Sequence, residues 1–163
     1  MSARDCLRPP AEAIAPETIA RRLERWAHER GWEIVETDLQ TPGGAAEIGS
    51  GVLGTVGSVD GRHAIYLQPG LTPQERALTI AHEAAHLLLE TGQQPGPSGG
   101  YLDPHGQLEP RAYAAEAMVG VATGLYRLPP GDDLDYAGIV RQVGWAPLVA
   151  ACQLAQVARG GAP

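Results

Sequence analysis

His82-Glu83-Ala84-Ala85-His86 sets two imidazoles four residues apart with a carboxylate beside the first. On a helix both imidazoles leave the same face and can grip one Zn²⁺, and Glu83 is then placed to take a proton from a metal-bound water. That is the core of a metallopeptidase site. The competing reading is a pair of hydrogen-bonded core histidines, which makes the surrounding elements decisive. Catalytic zinc usually has three protein ligands and one open position for water. Downstream candidates for the third ligand are Asp103, His105, Glu109 and Glu116. Glu109 and Glu116 are seven positions apart and fall near one face of the next helix, which can look across at the histidines if the two helices pack together. His105 lies in a Gly/Pro loop, where a ligand is harder to hold rigid.

The element that must carry the motif is well marked. Thr72-Pro73-Gln74-Glu75 reads as a helix start, with Thr72 as N-cap, Pro73 in the first turn and Glu75 closing a capping box. Ala77, Ile80, Ala81, Ala84, Leu87 and Leu88 then recur at helical spacing, and Gly92 offers a left-handed stop. Upstream, Ile19, Leu23, Trp26 and Ala27 share one face of a helix that opens at Pro16 and ends at Gly31. Trp26 and His28 read as packing and surface residues. Trp32 to Leu39 alternates as a strand. Val52 to Gly57 and Arg62 to Leu67 form a hairpin about Asp60-Gly61. Gly49-Ser50-Gly51-Val52-Leu53-Gly54 has the glycine pattern of a dinucleotide site, yet it leads into a strand pattern and not into a helix N-terminus, which argues against that chemistry.

The stretch from Thr91 to Gly106 is a Pro/Gly-rich loop of the length expected of an active-site rim. From Glu109 a helix is expected, with Ala112, Ala115, Val119, Ala122 and Tyr126 on one face and Pro129-Pro130-Gly131 ending it. Asp132, Asp133 and Asp135 fit the cap of a short helix better than a calcium loop. A last helix runs from about Ala146 to Arg159.

The chain has 163 residues, enough for one domain, and residues 16–163 are expected to form it behind a tail at 1–15. A net charge of -7 and no cluster of Lys and Arg argue against direct nucleic-acid binding. Cys6 and Cys152 suit free thiols in a reducing compartment. No apolar run reaches the length of a membrane span, so no membrane association and a cytoplasmic location are expected.

The run Ile65 to Leu89 together with Glu109-Pro-Arg-Ala-Tyr-Ala-Ala-Glu116 resembles the ImmA/IrrE family of zinc metallopeptidases, and the later segment is also similar to the peptidase domains of plasmid antirestriction proteins. The resemblance covers roughly Val52 to Leu125. It implies that His82, His86 and Glu109 hold Zn²⁺, that Glu83 is the catalytic base, and that the substrate is a regulatory protein such as a helix-turn-helix repressor. Where the family has Asn after the alanine and Phe-Ala two residues on, this chain has Tyr113 and Ala115-Glu116.

The sequence therefore points to an α+β, zincin-like domain in which a mixed sheet of three or four strands packs against the metal helix. Its expected activity is that of a zinc endopeptidase acting on a protein or peptide. Tyr101, His105 and Tyr113 are the candidate donors to a developing oxyanion. The alternative is a non-catalytic interaction module that keeps the fold, which the presence of Glu83 argues against; oligomeric state is left open.

Overall fold

The computed structural model describes residues 12–40, 52–89, 108–127 and 136–160. The capping box read from the sequence is formed: the Glu75 backbone N–H donates to Thr72 Oγ1 at 3.2 Å and the Thr72 N–H donates to Glu75 Oε2 at 2.9 Å. These reciprocal bonds satisfy donors that a helix start leaves open.

The described elements are α1 (Pro16–Glu29), β1 (Glu33–Glu36), β2 (Gly54–Val59), β3 (Arg62–Leu67), α2 (Pro73–Leu89), α3 (Leu108–Thr123), α4 (Tyr136–Val143) and α5 (Trp145–Ala158). The three strands make one mixed sheet in the order β1-β3-β2. β1 runs parallel to β3 with Ile34 opposite Ile65, and β2 runs antiparallel to β3 with Gly54 opposite Leu67. Asp60 (φ 49°) and Gly61 (φ 78°) both take the left-handed region, as a tight primed hairpin turn demands. β1 is shorter than the expected Trp32 to Leu39, and β2 begins at Gly54 and runs to Val59, so the hairpin is displaced toward its turn.

Helix α2 is the centre of the fold. It packs on β2 and β3 and against α1, α3 and α5. Every residue from Thr79 to Leu87 is buried, so the expected apolar stripe is in fact burial on all sides. Ala77, Ala81, Ala84 and Ala85 allow neighbouring backbones to come close enough for this. The outer helices are tied in by specific polar bonds. Arg22 donates to the Ala158 carbonyl at 2.7 Å, neutralising a C-terminal orphan of α5. Arg76 bonds both Glu24 of α1 and Glu36 of β1, clamping the start of α2 to both. Burial pulls the Arg76 guanidinium down, but its bonds and attraction to the two carboxylates outweigh that and hold it above its ordinary value.

Trp26 is buried against Trp32, edge to face at 5.2 Å, and the Arg30 guanidinium lies 5.0 Å from the Trp26 ring centre, in keeping with a packing role. The Tyr126 expectation needs correction. Helix α3 ends at Thr123, because Gly124 (φ 79°) takes the left-handed conformation that stops the helix, and Tyr126 belongs to the turn beyond and not to the helical face.

Candidate metal centre

His82 and His86 lie one turn apart on α2, and their rings meet edge to face with centroids 5.0 Å apart. His82, Glu83 and His86 are all buried, between 6% and 8% exposed. The two nitrogens of His82 have different surroundings. Nε2 is 4.0 Å from Glu83 Oε1, and Nδ1 is 3.2 Å from Glu116 Oε2. The Glu116 carboxylate also accepts a hydrogen bond from the Tyr126 hydroxyl at 3.0 Å.

A cleft of about 410 Å³ opens beside these groups, lined by Val52, Leu53 and Gly54 on one side and by Tyr113, Glu116 and Tyr126 on the other, with His82, Glu83 and Thr79 at its floor. Its first wall is the beginning of β2. That strand pairs with β3 on one side, and among the described residues nothing pairs with its outer edge. The approach of strand to helix is close: a Cβ at Gly54 would lie 2.5 Å from Thr79 Cγ2 and 3.2 Å from Glu83 Cγ. Only glycine lets β2 come this near the carboxylate.

Helix α3 supplies the opposite wall. Tyr113 is 57% exposed, yet its ring centre is 4.3 Å from that of His82, so it sits at the mouth of the cleft. Glu109 falls in the first turn of α3 and its side chain lies outside the described groups, as do Tyr101, Asp103 and His105. Among the described residues no set of three His, Cys, Asp or Glu side chains converges on one point. The donor chemistry nonetheless fits zinc: two imidazoles on one helical face, an adjacent carboxylate, and a helix carrying Glu109 and Glu116 packed alongside.

The model of the peptidase M78 family, described as the IrrE N-terminal-like domain, matches residues 27–121. The chain belongs to this family. The match covers more than half of the chain, from the end of α1 through most of α3, and so includes the histidine pair, Glu83 and the residues of α3 that face them. Membership in the M78 family supports a peptidase-like, hydrolytic function. No curated protein and no solved structure gives a significant match.

Sequence reasoning did not find two parts of the site. Tyr126 was expected on a helical face, and the signal for its true place is Gly124 together with Gly120, the two glycines that let the chain turn back over α3. Gly54 was read within a glycine pattern and within the Val52 to Gly57 strand, and its role against α2 depends on a contact distant in sequence.

Proposed function

We propose that the protein is a zinc-dependent endopeptidase that cuts a regulatory protein such as a helix-turn-helix repressor. The observation that carries this reading is the placement of His82 and Glu83 at the floor of a cleft whose wall is an edge strand, with the His86 ring packed against that of His82. His82, His86 and Glu109 are the residues that would hold the metal. When bound, zinc supplies an acidified water and polarises the scissile carbonyl.

The chain's own residues do the rest. In an antiparallel ladder alternate residues turn their N–H and C=O groups outward. The Gln68 N–H bonds the Leu53 carbonyl at 2.9 Å, which fixes the phase and leaves Gly54 and Val56 facing the open edge. An extended peptide can add to that edge through main-chain bonds, with its carbonyl brought toward the His82 face of α2. Glu83 accepts a proton from the attacking water and returns it to the departing amide nitrogen. The candidate donors to the developing oxyanion in this reading are Tyr113, whose ring lies near that of His82 at the cleft mouth, and Tyr101 or His105. An open strand edge beside the cleft suits an extended peptide, which is why this reading is an endopeptidase.

The test is metal analysis of the purified protein, followed by incubation with candidate repressors and capture with the Glu83→Gln variant. One zinc per chain and specific cleavage lost in that variant are expected. A protein that binds zinc and retains a peptide without cutting it would instead support the non-catalytic interaction module.

A further inference from the structure

Glu116 falls at one of the places where the chain departs from the family pattern, and it joins two residues that sequence alone does not connect. One carboxylate oxygen lies 3.2 Å from His82 Nδ1 while the other accepts the Tyr126 hydroxyl at 3.0 Å. His82 Nδ1 is buried and within reach of Glu116 Oε2 without making a well-aligned hydrogen bond, a contact that a small ring rotation converts into one, as contacts in such sites commonly tighten on loading.

The Tyr126 end of the chain of contacts is built, not incidental. Gly124 reverses the chain, the Tyr126 backbone N–H returns to the Gly120 carbonyl at 2.9 Å, and the Cδ2–Cε2 side of the phenol ring lies against Gly120. A Cβ at Gly120 would come 2.7 Å from Tyr126 Cε2, so the ring occupies the space that any other residue would fill. Burial, then the Glu116 charge and its bond, push the Tyr126 hydroxyl up to about 12, which keeps it a neutral donor throughout the physiological range.

We propose that Glu116 and Tyr126 are positioning residues for His82: Tyr126 holds Glu116, and Glu116 holds the Nδ1–H tautomer that leaves Nε2 as the metal-directed nitrogen. This rests on the metal reading given above. A neutral imidazole carries its proton on one nitrogen only, and the partner of that nitrogen selects which one is left to ligate. The Nε2 of His82 faces Glu83 at 4.0 Å, so a carboxylate on Nδ1 directs the lone pair to the side where the base stands. Glu116 meets the ring at Nδ1, the nitrogen other than the one that faces Glu83.

The experiment compares the intact wild-type chain with Glu116→Gln, Glu116→Ala and Tyr126→Phe. Zinc affinity is read by competition with a chromophoric chelator, ligand geometry from the visible spectrum of the Co²⁺-substituted protein, and the His82 tautomer from nitrogen-15 imidazole correlations in metal-free protein. Glu116→Gln is expected to weaken zinc about 10- to 100-fold with stoichiometry and the Co²⁺ band intensity retained. Tyr126→Phe is expected to weaken it about fivefold, the worth of one hydrogen bond. The wild-type His82 should be protonated at Nδ1, and Glu116→Ala should mix the tautomers. Should Glu116→Ala not fold, the Gln and Phe variants carry the same test. Wild-type protein that binds zinc with an affinity unmoved by Glu116→Gln overturns the positioning role alone. Loss of one-to-one binding in Glu116→Gln, with a changed Co²⁺ spectrum, overturns it by making Glu116 a ligand. Wild-type protein that binds no zinc removes the metal reading and this role together.

Discussion

Replacing Gly54 by Ala is the sharpest test of how the cleft is built. Gly54 has an ordinary negative φ, so alanine faces no backbone strain there, and in open space the change would stabilise by about 0.4–1 kcal/mol through the unfolded chain. The added Cβ, however, would lie 2.5 Å from Thr79 Cγ2, 3.1 Å from the Tyr66 carbonyl oxygen and 3.2 Å from Glu83 Cγ. The carbonyl belongs to the neighbouring strand and cannot step aside, and Thr79 is a buried, β-branched residue with few rotamers. Overpacking of this kind costs about 1–3 kcal/mol, so a net loss of about 1–2 kcal/mol remains. For a chain of this size that lowers Tm by about 2–8 °C. The assay is urea unfolding followed by tryptophan fluorescence, run on the double-mutant cycle with Thr79→Ser. The serine removes the methyl that the new Cβ meets, so the pair should be coupled favourably by about 1 kcal/mol. The reasoning is refuted if Gly54→Ala is as stable as the wild type, or if Thr79→Ser rescues nothing. Because Glu83 is one of the three neighbours, the same variant should lose peptidase activity even at temperatures where it is fully folded.

Other outcomes follow from the same geometry. Glu83→Gln should keep zinc at one per chain while abolishing cleavage, measured by metal analysis and a peptide assay, whereas Glu109→Ala should lose zinc; full activity in the first or full zinc in the second rejects those assignments. Arg76→Met should lower stability by about 1–2 kcal/mol, since it leaves two partners without the guanidinium that clamps α1 and β1 to α2; a shift in urea midpoint worth less than about 0.5 kcal/mol counts against the clamp. An ultraviolet titration should find one tyrosine ionising late, at about 12, and it should move down in Glu116→Gln while burial still keeps it above 10. The folded state favours the neutral phenol, so its contribution to stability is complete below about pH 10 and is lost as pH rises through about 12; if all tyrosines titrate together near 10, the buried contact is absent.

Local signals in the sequence were readable where the chain's own chemistry decides the outcome. The Thr72–Glu75 capping box, the Asp60-Gly61 turn and the apolar face of α1 each depend on residues within a turn or two of one another, and each forms as read. The helix that carries His82 and His86 was legible for the same reason. What depended on distant partners was not. The neighbour of His82 Nδ1 comes from α3, 34 positions along the chain, and Tyr126 joins it only after Gly124 turns the backbone. The parallel pairing of β1 with β3 likewise rests on a crossover that no local pattern specifies. The helical periodicity that placed Tyr126 on the face of α3 was outweighed by one left-handed glycine.

The burial of His82, Glu83 and His86 in the middle of α2 has a consequence for how the protein can be improved or lost. Polar groups taken from water inside a helix packed on all sides are less favourable there than apolar groups of similar volume. On the proposed reading, leucine or methionine at position 86 would exchange a metal-directed imidazole for apolar packing, so gains in stability at these positions would come at the expense of the site. Selection for thermal resistance without selection for activity should therefore favour apolar residues at these three positions.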